Sequence, residues 1–133
     1  MILVDSSVWI DFFQNRSTLQ AEWLDRNLGV EGLVIGDLIL AEVLQGFKDD
    51  RGFNEAKTYL GRLDQIVVAG FDVAVEAARN YRRLRGIGVT LRGTVDVLIA
   101  TRCVVSNLRL LHSDRDFDPF EKHLGLRVVN CQP

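Results

Sequence analysis

Short apolar runs alternate with longer stretches of helical periodicity along this chain. Runs of three or four mostly apolar residues are typical of strands that are buried on both faces of a sheet. We predict strands at residues 2–4, 33–35, 66–68, 108–111 and 126–129. Because helical segments separate these strands, the pattern predicts an α/β sandwich around a mostly parallel sheet.

Amphipathic segments fill the intervals between the predicted strands. We predict helices at residues 9–13, 18–28, 38–44, 54–60, 71–85, 94–105 and 117–122. In the longest helix, five residues share the face that we expect to pack on the core: Phe71, Ala74, Ala78, Tyr81 and Leu84. A glycine-rich loop at 86–93 precedes Thr94, which we expect to cap the next helix. With no internal repeat in sight, we expect a single domain over residues 1–133.

The composition is that of an ordinary globular protein, with 47% apolar and 26% charged residues in a chain of 133. The two cysteines, Cys103 and Cys131, lie in apolar stretches and form no zinc-binding pattern. We expect both to be reduced, which favours a cytoplasmic location. No uncharged apolar run is long enough for a transmembrane helix, and the amino terminus lacks a basic leader, so we expect no membrane association.

Acidic residues outnumber basic residues, 18 to 16, which gives a formal charge of −2 and an isoelectric point near 5.6. This sum by itself argues against a protein that coats nucleic acid. Several of the acids, however, stand where a surface charge is not expected. If four of them form one metal pocket, 14 acids remain against 16 bases elsewhere, and the rest of the surface is mildly basic.

Four acids interrupt apolar segments. Asp5 and Asp114 follow predicted strands, and ligands of parallel α/β sheets bind beyond the carboxyl ends of the strands. Glu42 and Asp96 lie inside helices that are apolar on almost every side. Each acid also has a simple structural explanation: Asp5 as a helix cap, Glu42 at a solvent-facing edge, Asp96 beside a helix amino terminus, and Asp114 in a turn.

Taken together, the four carboxylates are harder to explain as separate structural features. Acids gathered in one pocket repel one another unless a metal neutralises them or their pKa values rise. Ligand sets made only of oxygen favour Mg²⁺ or Mn²⁺. Such a pocket is suited to hydrolysing phosphodiesters, because two hard cations activate water and stabilise the leaving oxygen.

Four motifs carry a resemblance to a known family: 4–10, 40–46, 94–100 and 110–117. In this order and spacing, they resemble those of the PIN-domain ribonucleases, specifically the VapC-type toxins of type II toxin–antitoxin systems. The resemblance extends over almost the whole chain. It implies a PIN-like three-layer sandwich and an endoribonuclease that hydrolyses RNA phosphodiesters by metal-activated water, leaving a 5′-phosphate and a 3′-hydroxyl.

The resemblance also implies a site and partners. Asp5, Glu42, Asp96 and Asp114 match the family's catalytic, metal-binding acids, and Asp116 matches a fifth acid found in part of the family. The implied cofactor is Mg²⁺ or Mn²⁺. The implied partners are the RNA substrate, a second copy in a homodimer and an inhibitory VapB-type antitoxin. One departure is His112, where many relatives carry threonine; we expect His112 and His123 not to be metal ligands.

Two serines and several arginines are further candidates. We expect the hydroxyls of Ser6 and Ser7 to bind substrate, or to form a hydrogen bond with a metal-bound water or an Asp5 oxygen. Helix capping is the structural alternative, and both roles can coexist. Arg85 and Arg92 flank the glycine-rich loop, and we expect them to bind RNA phosphates. For Arg79, Arg83 and Arg102 we favour structural roles. The first two belong to a solvated helix face, and Arg102 is placed to neutralise a carboxylate.

Two other classes of protein fit part of the pattern. A phosphoaspartyl protein, such as a receiver domain or a haloacid-dehalogenase-like phosphatase, also has an aspartate after its first strand. Its Asp-x-Asp motif is missing here, because Ser7 takes the second position after Asp5. The other alternative is a non-catalytic binding module with the PIN fold. Such a module is expected to lack some of the four acids, whereas all four are present here.

Overall fold

A computed structural model describes residues 1–132 of the chain. In that range four parallel strands form one sheet in the order β3-β2-β1-β4. Their bounds are β1 Ile2–Val4, β2 Leu33–Gly36, β3 Asp64–Ile66 and β4 Arg109–Leu111. In register, Ile2 of β1 faces Leu33 of β2 on one side and Arg109 of β4 on the other. The first strand therefore lies inside the sheet, as its continuous apolar run predicts.

Within residues 1–132, seven helices and one short 3₁₀ turn flank this sheet. The bounds are α1 Ser6–Phe13, α2 Leu19–Asn27, α3 Asp37–Leu44, α4 Asp50–Leu60, α5 Phe71–Gly86, α6 Thr94–Val105 and α7 Asp118–Leu124, with the 3₁₀ turn at Arg115–Phe117. Helix α1 packs on α2 and α3, and α3 packs on α4, whereas α5 packs on α6 and α7. The α/β three-layer architecture is confirmed.

The direction of the chain through the sheet explains these two helix groups. From β1 the chain moves outward to β2 and then to β3, and it returns across the sheet to β4 on the far side of β1. Because parallel crossovers are right-handed, reversing direction moves the connecting helices to the opposite face. The reversal creates a topological switch point between β1 and β4, where α/β sheets bind ligands.

Two predicted strands differ from those observed. Strand β3 is Asp64–Ile66 rather than 66–68, because Val68 leaves the strand and donates its backbone N–H to Asp37 Oδ1 at 2.8 Å. Val68 is fully buried against Gly36, where a β-carbon would collide with the valine side chain. The predicted strand at 126–129 is wrong: Val128 forms only an isolated bridge with Leu110.

Two features of α5 and α6 also differ from expectation. The buried face of α5 carries Val73, Ala77 and Leu84, while Phe71 is 97% exposed. The predicted face was therefore wrong for Phe71, Ala74 and Ala78. Small residues lie on both sides of this helix, so the sequence pattern does not determine which side is buried. Gly93, not Thr94, is the N-cap of α6, and it has no side chain to accept a hydrogen bond.

Both cysteines are free and buried, as predicted. Burial raises the pKa of the Cys103 thiol to about 12, so this thiol stays protonated and unreactive at neutral pH. None of the helices within residues 1–132 combines the length and the hydropathy needed to cross a membrane.

Candidate active site

The switch point brings the ends of β1 and β4 together. Asp5 directly follows β1, and its backbone N–H donates to the Leu111 carbonyl at the end of β4, at 2.9 Å. Asp114 lies three residues beyond Leu111 and caps the 3₁₀ turn. The two strand-end acids therefore lie at one edge of the sheet, where their positions in the sequence predict them.

Asp5 is both a helix cap and part of the pocket. Its Oδ2 accepts the backbone N–H of Ser7 at 3.1 Å and the Ser7 hydroxyl at 2.6 Å. The residue is only 4% exposed. Burial raises the pKa of Asp5, and the Ser7 hydrogen bonds oppose this increase. Capping and a pocket role therefore coexist in one carboxylate.

Glu42 reaches the pocket from α3. The Ser6 hydroxyl of α1 donates to Glu42 Oε1 at 3.1 Å, which fixes one oxygen of the half-buried carboxylate. Burial raises the pKa of Glu42, the Ser6 hydrogen bond opposes this, and the charge of Asp5 raises the pKa further. The packing of α1 on α3 thus brings this acid to the strand-end pair.

Asp96 shows most clearly that the acids share one pocket. It lies in the first turn of α6, and its pKa rises to about 6. Burial is the largest cause. The charges of four other acids add to it: Asp5, Asp114, Glu42 and Asp116. A carboxylate that feels four neighbours of its own sign is the arrangement expected of a cation site.

Three of the acids offer oxygens at cation-binding spacing. One carboxylate oxygen from each of Asp96, Asp114 and Asp116 lies within 4.8 Å of the other two. Across residues 1–132, none of the five acids forms an ion pair with a lysine, arginine or histidine. An all-oxygen donor set with uncompensated negative charge fits a hard divalent cation. Asp5 and Glu42 lie outside the group of three and extend the pocket.

The carboxylates are held by hydrogen bonds from neighbouring residues. Asp114 Oδ1 accepts the Asp116 backbone N–H at 2.9 Å. The Ser7 hydroxyl, besides donating to Asp5, accepts the Ser113 N–H at 3.4 Å and so links α1 to the segment after β4. The predicted hydrogen bond from a serine to an Asp5 oxygen is confirmed. Contact of Ser6 and Ser7 with substrate stays a prediction.

His112 has a role that the sequence reasoning missed. Its ring Nδ1 accepts the Asp114 backbone N–H at 3.2 Å, and the ring packs on Phe117 at a centroid distance of 4.9 Å. The ring therefore helps to set the backbone direction at Asp114. The available signal was its place in the sequence, between a strand and a candidate ligand.

The predicted arginines fall into two groups. Arg85 and Arg92 are exposed, at the end of α5 and in the following loop, and their contact with substrate stays a prediction. Arg102 neutralises a carboxylate, as predicted, but that carboxylate is Asp72 at 3.2 Å and not an acid of the pocket. Arg79 pairs with Glu76 on the solvated face of α5, as expected.

A parallel α/β sheet with a carboxylate pocket at its switch point fits both a metal-dependent nuclease and a phosphoaspartyl protein. Residues 2–122 match the family model described as "PIN domain". The chain therefore belongs to the PIN domain family. This finding decides against the phosphoaspartyl alternative.

Curated relatives refine the similarity. The chain is 30% identical over 135 aligned positions to "VapC ribonuclease Mb1587" of Mycobacterium bovis, with 98% of each chain covered. The same figures hold for "Ribonuclease VapC11" of Mycobacterium tuberculosis. The resemblance to the VapC-type members of the PIN family is confirmed.

Solved structures share the fold. The VapBC2 structure from Rickettsia felis, bound to a DNA fragment from its promoter, matches with a TM-score of 0.76 and 18% identity over 98% of each chain. VapC20 of Mycobacterium tuberculosis, described as a toxin that cleaves the sarcin–ricin loop, matches with a TM-score of 0.69 and 15% identity. The latter alignment covers 89% of this chain and 93% of that one.

Proposed function

We propose that this chain is a metal-dependent endoribonuclease toxin, acting as a single PIN domain. The observation that carries the proposal is the pocket of five carboxylates without a compensating cation from the described part of the chain. The names of the curated relatives support RNA as the substrate. A non-catalytic binding module would not need to retain these electrostatically costly acids.

Asp96, Asp114 and Asp116 would hold a Mg²⁺ or Mn²⁺ ion, with Asp5 and Glu42 completing the negative pocket. When bound, a divalent cation supplies water activation and neutralises charge on the phosphate. Protein groups prepare the ligands: serine hydroxyls hold Asp5 and Glu42, while a backbone N–H holds Asp114. This preorganisation keeps the carboxylates in place before a metal or RNA arrives.

Substrate binding is assigned to hydroxyl and guanidinium groups. Ser6 and Ser7 border the pocket through their hydrogen bonds to Glu42 and Asp5, and we assign both to an RNA phosphate, toward which their hydroxyls would turn when substrate binds. Arg85 and Arg92 lie exposed at the two ends of the loop that leads into Asp96. Guanidinium groups bind phosphate oxygens in a bidentate manner, which suits them to this task.

The partner we propose is a VapB-type antitoxin that inhibits the toxin. Support comes from solved structures of the same fold, which include the VapBC2 complex of Rickettsia felis and VapBC-1 from nontypeable Haemophilus influenzae. A homodimer and a cytoplasmic location belong to the same proposal.

The central experiment is RNA cleavage by the purified protein with Mn²⁺ or Mg²⁺, with and without EDTA. We expect cleavage with either metal and none in EDTA, and we expect Asp5→Asn to be inactive. A matched control is Asp11→Asn, which changes an aspartate of α1 outside the pocket. Metal-independent cleavage, or full activity of Asp5→Asn, would show that the pocket is not the active site.

A further inference from the structure

The end of α5 and the following loop form the most basic part of the chain. Residues 77–95, which we call the arginine segment, contain five arginines and no acid. The whole protein has a formal charge of −2. A segment with charge +5 in an acidic protein has an unusual concentration of positive charge.

The arginines of α5 converge on one surface. Arg79, Arg82 and Arg83 follow helical i, i+3, i+4 spacing, and with Arg85 they line a surface depression of about 630 Å³. Of these four arginines, only Arg79 has an ion-pair partner within residues 1–132. The other guanidinium groups face solvent with their charge uncompensated.

This clustering is unfavourable for the helix. Like charges at i, i+3 and i, i+4 destabilise a helix. The helix dipole offsets some of this, because Arg83 and Arg85 lie in the last turn. It does not account for Arg82, which precedes that turn, or for Arg92, which lies beyond the helix. An anionic ligand would account for both.

The arginine segment leads to the acid pocket. Arg102 of α6 pairs with Asp72 at the start of α5, and Asn80 donates to Thr101 at 3.1 Å further along. The two helices therefore run antiparallel, and the end of α5 lies at the same end of the pair as Asp96. Residues 87–93 join the end of α5 to the start of α6.

An aromatic ring accompanies the arginines. The Arg85 guanidinium lies over the half-buried Tyr81 ring at 5.7 Å. Single-stranded nucleic acids are bound by guanidinium groups that contact the backbone phosphates or stack on unpaired bases, and a guanidinium held over a ring combines both capacities. The combination favours RNA over an acidic protein segment as the ligand.

We propose that the arginine segment is an RNA-backbone site, which binds single-stranded RNA beyond the cleavage point and extends the substrate footprint along α5. The proposal rests on the proposed ribonuclease function. It assigns Arg82 and Arg83 to phosphate binding, in addition to the arginines that flank the loop. For Arg83 this replaces the structural role expected from the sequence, because no acid among residues 1–132 pairs with it. It implies that long substrates bind more tightly than short ones.

The test compares the double variant Arg82→Gln/Arg83→Gln with a matched control, Arg26→Gln/Arg62→Gln. The control removes the same charge from exposed arginines on other parts of the surface. Fluorescence anisotropy in EDTA measures binding of labelled single-stranded RNAs of about twelve and about four nucleotides over a salt series. All four changed side chains are exposed, and thermal melting verifies that both variants fold.

We expect the double variant to bind the longer RNA about tenfold more weakly at low salt. The slope of log affinity against log salt should fall by about 1.4, since each single-strand phosphate contact contributes about 0.7. The short RNA should bind the double variant and its control with equal affinity. In cleavage assays, KM for the long RNA should rise while kcat stays unchanged.

Equal slopes for the double variant and its control would overturn the proposal. So would a double variant that binds RNA normally but has lost affinity for a VapB-type antitoxin, because the surface would then be a protein-binding site. Failure of the ribonuclease function is a separate result: the wild-type protein would then cleave no RNA with Mn²⁺, whatever the binding data show.

Discussion

Two aspartates at opposite ends of the α5–α6 pair have opposite electrostatic surroundings. Both carboxylate oxygens of Asp72 accept hydrogen bonds from Arg102 at 3.2 Å, which hold the pKa of Asp72 below its usual range. Asp96 lies half-buried among acids, and burial together with those charges raises its pKa to about 6. One charge is balanced by the chain itself, while the other is left for a ligand to balance.

This difference distinguishes a carboxylate that stabilises the fold, Asp72, from one that serves the candidate active site, Asp96. The Asp72–Arg102 pair joins two helices, and Arg102 also donates from Nε to the Val68 carbonyl at 3.1 Å. The Asp96 pocket makes the folded state less stable when no cation is present. Removing the Asp96 charge should therefore stabilise the metal-free protein, whereas breaking the Asp72–Arg102 pair should destabilise it.

The largest expected effect is on catalysis. Asp96→Asn should lower the rate of metal-dependent RNA cleavage by about 100-fold or more, because a ligand charge is lost at the point where phosphate charge is neutralised. Asp72→Asn should retain cleavage within about twofold of wild type. Single-turnover assays at saturating Mn²⁺ compare the two proteins. Similar losses in both would mean that the two ends of the helix pair are not functionally distinct.

The next largest effect is on stability, at the end of the helix pair where Arg102 binds Asp72. Arg102→Gln should lower the free energy of unfolding by about 1.5 kcal/mol, because the Val68 carbonyl loses a charged donor. The exposed Asp72 loses its partner as well. Urea denaturation measures this loss. Calorimetry with Mn²⁺ should give wild-type metal affinity for this variant; weakened metal binding would instead place Arg102 in the functional site.

The smallest effect is a gain in stability that depends on pH. The folded-state pKa of Asp96 lies above its ordinary value of 3.8, so wild-type stability falls as the pH rises from about 4 through about 6. Asp96→Asn removes this loss. In EDTA it should be more stable by about 1 kcal/mol near neutral pH, after allowance for solvent screening, and equal to wild type at about pH 3.5. Urea denaturation of both proteins over this pH range measures the difference. If Asp96→Asn were more stable by the same amount at every pH, the gain would come from packing and not from the lost charge.

Much of the pocket is predictable because strand topology determines it. Asp5 and Asp114 follow buried apolar runs, and the carboxyl ends of parallel strands meet at one edge of the sheet. Asp96 was identifiable as an acid at the start of an apolar helix. The hydrogen bonds around these acids were less accessible, since the Ser6–Glu42 contact depends on how two helices pack.

The errors in the fold also have physical causes. Alanines on both sides of α5 leave its buried face undecided by periodicity, and Val73 and Ala77 take the place of the predicted residues. The sequence does not show that Val68 turns out of its strand to fill the space above Gly36, because that space exists only after the sheet has formed. The carboxyl-terminal run has strand-like residues but contributes only a bridge at Val128.

The position of β1 between β2 and β4 has a consequence during protein synthesis. Asp5 is made first, yet its neighbour at the end of β4, Leu111, and the acids Asp114 and Asp116 are made more than a hundred residues later. A nascent chain on the ribosome thus lacks the pocket until residues 111–116 have been made. In this topology the pocket can form only after β4 has been added to the sheet beside β1.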